Sequence, residues 1–301
     1  VSEPRTQEPL ESGTLWSLLR ERTRSALASG ALHAIASELH VAEADGVPIL
    51  VRVLGPRLDD GRAAAARQRA RGFDPFLPYE DEMFVAHVSA SHVALLNKYS
   101  VLPHHLLIVT RAFRSQDEPL DADDLEALWK GLEEIDGLAF YNGGAMAGAS
   151  QPHKHLQIVP TPLGAGAAPI PIEPLLASSV PEEGIGRCSA LPFPHAVAST
   201  ASLASLRPDE AARPSVELIR AMAESAAPGG TPRAYNLLVT RRFALFVPRV
   251  FEAWEGISVN SLGFAGSMLV RDRADLERIR RRGPLAVLGF VAGAANEGTC
   301  P

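Results

Sequence analysis

YNGGAMAGASQPHKHLQIV, residues 141–159, reads as a short extended segment, a loop of small residues, and then a strand over 153–159. On a strand, residues two apart share a face. His153, His155 and Gln157 therefore line one side, while Leu156 and Ile158 pack on the other. Three polar side chains on one face make a poor core and a good wall for a polar ligand. Gly143, Gly144 and Gly148 leave backbone N–H groups unshielded, and Ser150 adds a hydroxyl; such a loop can form a concave anion site. A neutral imidazole keeps a free lone pair near pH ~7 and can attack phosphorus without a separate base. Its other ring nitrogen needs an acceptor that fixes the tautomer, and a backbone carbonyl would serve. Donors at Gln157, Ser150, Asn142 and the loop amides would stabilise charge building on phosphoryl oxygens. The pattern by itself leaves two other readings open. The histidines could be metal ligands, although zinc would want a third ligand nearby and no cysteine is placed for it; or they could be merely structural.

Outward from this segment, DPFLPYE (74–80) is a loop punctuated by proline. Residues 83–89 and 92–98 read as two strands around a turn at Ala90–Ser91, and 104–111 as a third. Of His104 and His105, one is expected buried and one exposed. Asp121 and Asp124 resemble a capping pair that opens a helix. Its apolar stripe is Leu125, Leu128, Trp129, Leu132 and Ile135, and Gly137 is expected to end it. Residues 14–29 give another helix and 47–54 a strand. Past the histidines, 164–186 is rich in Pro, Ala, Gly and Ser and reads as a linker or a surface excursion. Then follow a strand near 188–194, a helix over 215–226, strands over 234–240 and 243–248, a glycine-rich bend within 259–270 and a helix over 272–282. Strands joined by short turns dominate, with helices interspersed irregularly. The fold class is α+β with an antiparallel sheet flanked by helices. The expected organisation is a catalytic domain over 1–165, a linker over 166–190 and a C-terminal α+β unit over 191–301 that completes the site.

A chain of 301 residues is longer than one core usually fills. With 46% hydrophobic and 21% charged residues it is ordinary for a globular protein, and a formal net charge of -6 argues against a nucleic-acid partner. The basic runs GRAAAARQRAR (61–71) and Arg278 to Arg282 read as solvated stretches, the second at a helix C-terminus favoured by the dipole. Cys188 and Cys300 make neither a zinc pattern nor a disulfide framework. Neither a signal-type segment nor a membrane span is expected, so the protein is expected to be soluble and cytoplasmic. No GxGxxG and no Walker loop is present.

GASQPHKHLQIVP (148–160) resembles the histidine-triad superfamily motif in its transferase form, H-x-H-x-Q. PFLPYE (75–80), ALLNKYSVLPHHLLIVTRAF (94–113), YNGGAMAGASQPHKHLQ (141–157) and NSLGFAGSMLV (260–270) are similar, in order and spacing, to the diadenosine tetraphosphate phosphorylases (ATP adenylyltransferases). The likeness covers roughly 45–290. It implies that His155 is the nucleophile that becomes AMP-histidine, that Gln157 contacts the α-phosphate, and that His153 belongs to the catalytic set. It implies further that Asn142 with Gly148, Ala149, Ser150 and Gln151 holds phosphates, and that Asn97 and Lys98 contact nucleotide. Ser261, Leu262, Gly263 and Met268 align with C-terminal substrate contacts, with Arg271 in place of a family lysine. A second family lysine, near the first strands, has no counterpart here; Arg52, Arg57 or Arg71 stands nearest, and arginine is not equivalent to lysine at phosphates. The implied reaction is reversible phosphorolysis of diadenosine tetraphosphate to ATP and ADP. Implied partners are the dinucleotide, ATP, ADP and phosphate, with no tightly bound cofactor, no protein metal site, and Mg2+ or another divalent cation riding on the nucleotide. Glutamine at 157 can donate a hydrogen bond but not a proton, which suits transfer between phosphates over hydrolysis. Two alternatives remain: a hexose-1-phosphate nucleotidylyltransferase of the same superfamily, which often has HPHxQ where this chain has Lys154, and a non-catalytic adenine-nucleotide sensor.

Overall fold

The computed structural model describes residues 10–44, 46–55, 74–230 and 232–294. Arg57, Arg71, the run over 61–71 and Cys300 lie outside the described residues. The chain opens with helix α1 (Leu15–Ser29), followed by strands β1 (Ser37–Ala44) and β2 (Val47–Leu54). Next come β3 (Phe84–His87), β4 (His92–Leu96), β5 (Leu106–Thr110), α2 (Ala122–Glu134), β6 (Gly137–Gly143) and β7 (His155–Pro160). The main elements that follow are α3 (Glu173–Leu176), β8 (Ala196–Ser199), α4 (Pro208–Ala226), β9 (Tyr235–Val239), β10 (Phe243–Pro248), α5 (Ser261–Phe264), β11 (Ser267–Val270), α6 (Arg273–Arg282) and α7 (Pro284–Val291).

Eight strands form one wholly antiparallel sheet in the order β8-β10-β9-β6-β7-β5-β4-β3. It is the large antiparallel sheet with flanking helices expected of the α+β class. One face packs on helices: Leu125, Leu128, Trp129 and Leu132 of α2 bury against Ile108, Leu156 and Ile158, with α1 and α4 alongside. Trp129 Nε1 donates to Ser215 Oγ (2.8 Å) and so ties α2 to α4. The other face, with Leu138, Phe140, Val159 and Leu245, packs on the three-stranded sheet β11-β2-β1 and the C-terminal helices. Among the described residues no helix is long and apolar enough to cross a membrane.

Asp121 and Asp124 form the expected capping box, each side chain accepting from the other's backbone N–H. The helix stops earlier than the glycine signal suggests, at Glu134, with Ile135 already extended. Gly137 instead opens β6, because a Cβ there would sit 2.4 Å from the Val159 carbonyl oxygen of the neighbouring strand. The stretch 164–186 is no loose excursion. Ile170, Ile172 and Leu176 within it are almost fully buried in the core, and the Ile172 N–H donates to Ala265 O (3.1 Å). The strand expected near 188–194 lies at 196–199, and β1 and α7 fall where no element was expected.

The order β5-α2-β6-β7 recurs as β8-α4-β9-β10, with the sheet seam at β6·β9. Setting His105 on His195 and Thr110 on Thr200 puts Leu106 on Ala196. The ladders Leu106↔Ile158 and Ala196↔Phe246 then place Gln157 on Leu245 and His155 on Phe243. The second repeat keeps the frame and carries apolar side chains at the reactive positions.

Candidate active site

The sheet is prised open where the histidines sit. The β6·β7 ladder ends at Phe140↔Gln157. Two residues further, the Gln116 side chain fills the gap: its Nε2 donates to Asn142 O (2.9 Å) and His155 O (3.2 Å), and its Oε1 accepts from His155 N (2.8 Å). The opened strands leave Asn142 and His155 facing each other on one side of the sheet. His153 lies just outside β7, held by an isolated bridge to Ser115, so the strand begins two residues later than its sequence suggests.

Each imidazole has a distinct set of partners. His155 Nδ1 bonds to the His153 carbonyl (2.8 Å), which makes Nδ1 the protonated nitrogen and leaves Nε2 with its lone pair and no partner among the described residues. Burial pushes the His155 imidazole down to about 4, against smaller upward pulls from the His153 carbonyl and Asp74, so the ring is neutral at physiological pH. His153 is spent: Nδ1 meets Asp74 Oδ2 (2.8 Å) and Nε2 meets Thr110 O (2.8 Å). Phe76 packs on both rings, with centroids 5.6 Å and 5.3 Å away. Among the described residues no three His, Cys, Asp or Glu side chains are grouped to hold a metal ion.

Gln157 Oε1 pairs with His105 Nε2 (2.9 Å), and Asn97 Nδ2 with His105 Nδ1 (3.2 Å). Burial holds His105 at about 4, outweighing the Gln157 bond, so it too is neutral, with one donor and one acceptor nitrogen. A donor on Nε2 leaves the Gln157 amide N–H2 for a ligand. Of the pair expected to be one buried and one exposed, His105 is buried, while His104 is half-buried beside Trp16 and Thr23 instead of exposed.

Lys154, between the histidines, points to the helical side. It is fully buried, bonded to Asp124 Oδ2 (2.5 Å) and Pro119 O (2.8 Å), while His92 Nε2 meets Asp124 Oδ1 (3.0 Å). Burial pushes the Asp124 carboxyl up, but the His92 bond and the Lys154 charge prevail and hold it down at about 2.

The remaining candidates fall into three groups. The loop of Gly148, Ala149, Ser150 and Gln151 lies beside Asn142 and His155 in sequence and leans on the C-terminal half: a Cβ on Gly148 would come 2.7 Å from Val259 O. Gly263 and Met268 line a small surface cleft with Ser258, Val259, Asn260 and Leu269. Ser261 N donates to Asn142 Oδ1 (2.9 Å), whereas Leu262 packs in the core. At the edges, Lys98 Nζ is bonded to Glu80 (2.6 Å), Arg271 Nε to Asp275 (3.0 Å), and Arg52 Nη2 to Leu163 O (2.6 Å). Asp74, Gln116, Asn236 and Arg249 were not legible as site residues in the sequence, because each acts across 13 or more positions on a partner that only folding brings near.

A neutral imidazole with a free nitrogen, flanked by amide donors and by no proton-releasing side chain at 157, defines a transferase of the histidine-triad-like class. Residues 5–178 match the family described as Ap4A phosphorylase N-terminal domain, and residues 189–293 match the ATP adenylyltransferase C-terminal domain. The chain belongs to the Ap4A phosphorylase family. It is 29% identical over 238 residues to diadenosine 5',5'''-P1,P4-tetraphosphate phosphorylase 2 of Saccharomyces cerevisiae, covering 68% of this chain and 71% of that protein. The crystal structure of yeast Ap4A phosphorylase Apa2 shares the fold, with a TM-score of 0.76 at 23% identity over 97% of this chain and 98% of that one. The same enzyme in complex with Ap4A gives 0.74 at 23% identity, over 93% and 97% of the two chains.

Proposed function

We propose that the protein phosphorolyses diadenosine tetraphosphate to ATP and ADP through AMP carried on His155. The reading rests on family membership, and the observation that carries it is the His155 Nδ1 bond to the His153 carbonyl, which leaves Nε2 as a nucleophile. In the first step the Nε2 lone pair forms a bond to the α-phosphorus of one adenylate, and the P–O bond to the β-phosphate breaks. ATP leaves with that electron pair and needs no proton, which accords with glutamine at 157. In the second step an oxygen of inorganic phosphate attacks AMP–His155, the P–N bond breaks, ADP departs, and the ring regains its lone pair. The reverse sequence makes the dinucleotide.

Gln157 and Asn142 supply N–H donors to the α-phosphoryl oxygens, and the 148–151 loop amides hold the flanking phosphates. Asn97, Lys98, Ser261, Leu262, Gly263, Met268 and Arg271 border the nucleotide path. A divalent cation travels with the polyphosphate as part of the substrate.

Intact-mass measurement tests this. Protein mixed with the dinucleotide without phosphate should gain one AMP, and added phosphate should discharge it as ADP. His155→Ala should show no adduct; phosphorolysis at wild-type rate by that variant would refute the nucleophile assignment.

A further inference from the structure

The amide of Asn142 has its orientation imposed from the other half of the chain. Asn142 and Asn236 are partners across the β6·β9 seam. Arg249 Nη1 donates to Asn236 Oδ1, and an arginine can only donate. The oxygen end of Asn236 therefore faces Arg249, and its Nδ2 faces Asn142 Oδ1 (2.9 Å) and Ala147 O (2.9 Å). Ser261 N, a backbone donor, also reaches Asn142 Oδ1 (2.9 Å). Two fixed donors thus claim the oxygen of Asn142. Its Nδ2 has no partner among the described residues and lies on the side of the sheet where His155 stands opposite on β7.

Arg249 is itself immovable. It is 6% exposed and also donates to Val259 O (2.8 Å), Phe251 O (2.7 Å) and Glu252 O (3.1 Å). Asn236 is fully buried. Among the described residues no carboxylate bonds to the guanidinium; its hydrogen bonds run to carbonyl oxygens and to one amide. A buried arginine without an ion-pair partner is costly to keep. What it accomplishes here is to set one amide that sets another.

We propose that Arg249 and Asn236 are positioning residues that hold the Asn142 N–H2 toward the phosphoryl group reacting at His155. This rests on the reaction assigned above. It gives the C-terminal half a defined part in the chemistry: without the relay only the Ser261 N–H still holds the Asn142 oxygen, and the amide is less firmly kept from turning that oxygen, a repulsive group, toward the phosphate.

Asn236→Asp tests the relay. The carboxylate keeps the Arg249 contact but cannot donate to Asn142 Oδ1, so the two oxygens oppose each other. The first-step rate, read as AMP adduct formed in a single turnover at saturating dinucleotide, should fall by about 10²-fold, as for loss of one transition-state donor. KM should change little. In an Asn142→Ala background the same substitution should change the rate by less than about threefold, because its contacts to Ala147 O and Ser261 Oγ do not reach the reacting phosphate and its effect on the first step passes through Asn142. Equal losses in both backgrounds, a loss confined to KM, or wild-type kinetics in Asn236→Asp would each overturn the proposal. If Asn236→Asp does not fold, Asn236→Ala takes its place in the same cycle, with a smaller loss of about tenfold expected because the Ser261 N–H still holds the Asn142 oxygen, and again less than about threefold in the Asn142→Ala background. Failure of the underlying reaction looks different: the unmodified protein would then form no adduct.

Discussion

Acid should spare the adenylylation step. Protonating His155 removes the lone pair it needs, so the rate follows the fraction of neutral ring. Burial holds that ring at about 4 instead of 6.5. At pH ~5.5 an ordinary histidine would be about nine-tenths protonated, whereas this one would be about 3% protonated. Between pH ~7.5 and ~5.5, kcat/KM for the first step should therefore stay within about 20%, where an unshifted histidine would lose about tenfold. The second-order form is the right one, since it reports the free protein before substrate phosphates bear on the ring. Omitting inorganic phosphate removes the acceptor's own ionisation, and the doubly esterified polyphosphate does not titrate in this range. The assay is stopped-time mass spectrometry of the AMP adduct. The same depression acts on stability with a known sign. The unfolded chain binds the proton more readily, so this contribution is complete above pH ~6.5 and is lost as pH falls toward ~4. Circular dichroism at each pH shows that the fold is intact. A tenfold fall with a midpoint near pH ~6.5 would mean that the nucleophile is not sequestered as described.

Two further outcomes follow from the packing around the histidines. Lys154→Met leaves the fully buried Asp124 carboxylate with His92, its cap bond and the Arg114 guanidinium at 4.0 Å, and should cost about 3 kcal/mol in urea unfolding; a loss below about 1 kcal/mol would show that the ion pair contributes little. Gly148→Ala places a side chain at φ +83° and 2.7 Å from Val259 O, costing about 2 kcal/mol and displacing the loop, so that KM for the dinucleotide rises. Unchanged melting and KM would show that the loop does not lean on the C-terminal half.

Much of the fold was legible because its signals are local. Asp121 and Asp124 announce a helix start within four residues, and alternation in 153–159 identifies the polar face. What was hidden depends on distant partners. Gly137 looks like a helix terminator and is a strand residue, because the constraint comes from the Val159 carbonyl. The 164–186 stretch has the composition of a linker, yet its few isoleucines and leucines are placed to fill the space beneath β2 and β11. The polar partners of the site are subtler still. Asn142, His155 and Gln157 could be picked out as candidate donors and nucleophile, but the residues that part their strands and set the Asn142 amide, namely Gln116, Asn236 and Arg249, carry no motif of their own.

The seam at β6·β9 bears on how far the protein can be divided. The two matched family segments meet between residues 178 and 189, which invites cutting the chain there. Such a cut would strip β6 from β9 and leave both fragments with a mostly apolar edge of unpaired amides, a template for self-association. Dissection into separately produced pieces would then yield aggregates, whereas co-expressing the pieces, so that the edges find each other first, offers a route to a nicked but whole sheet.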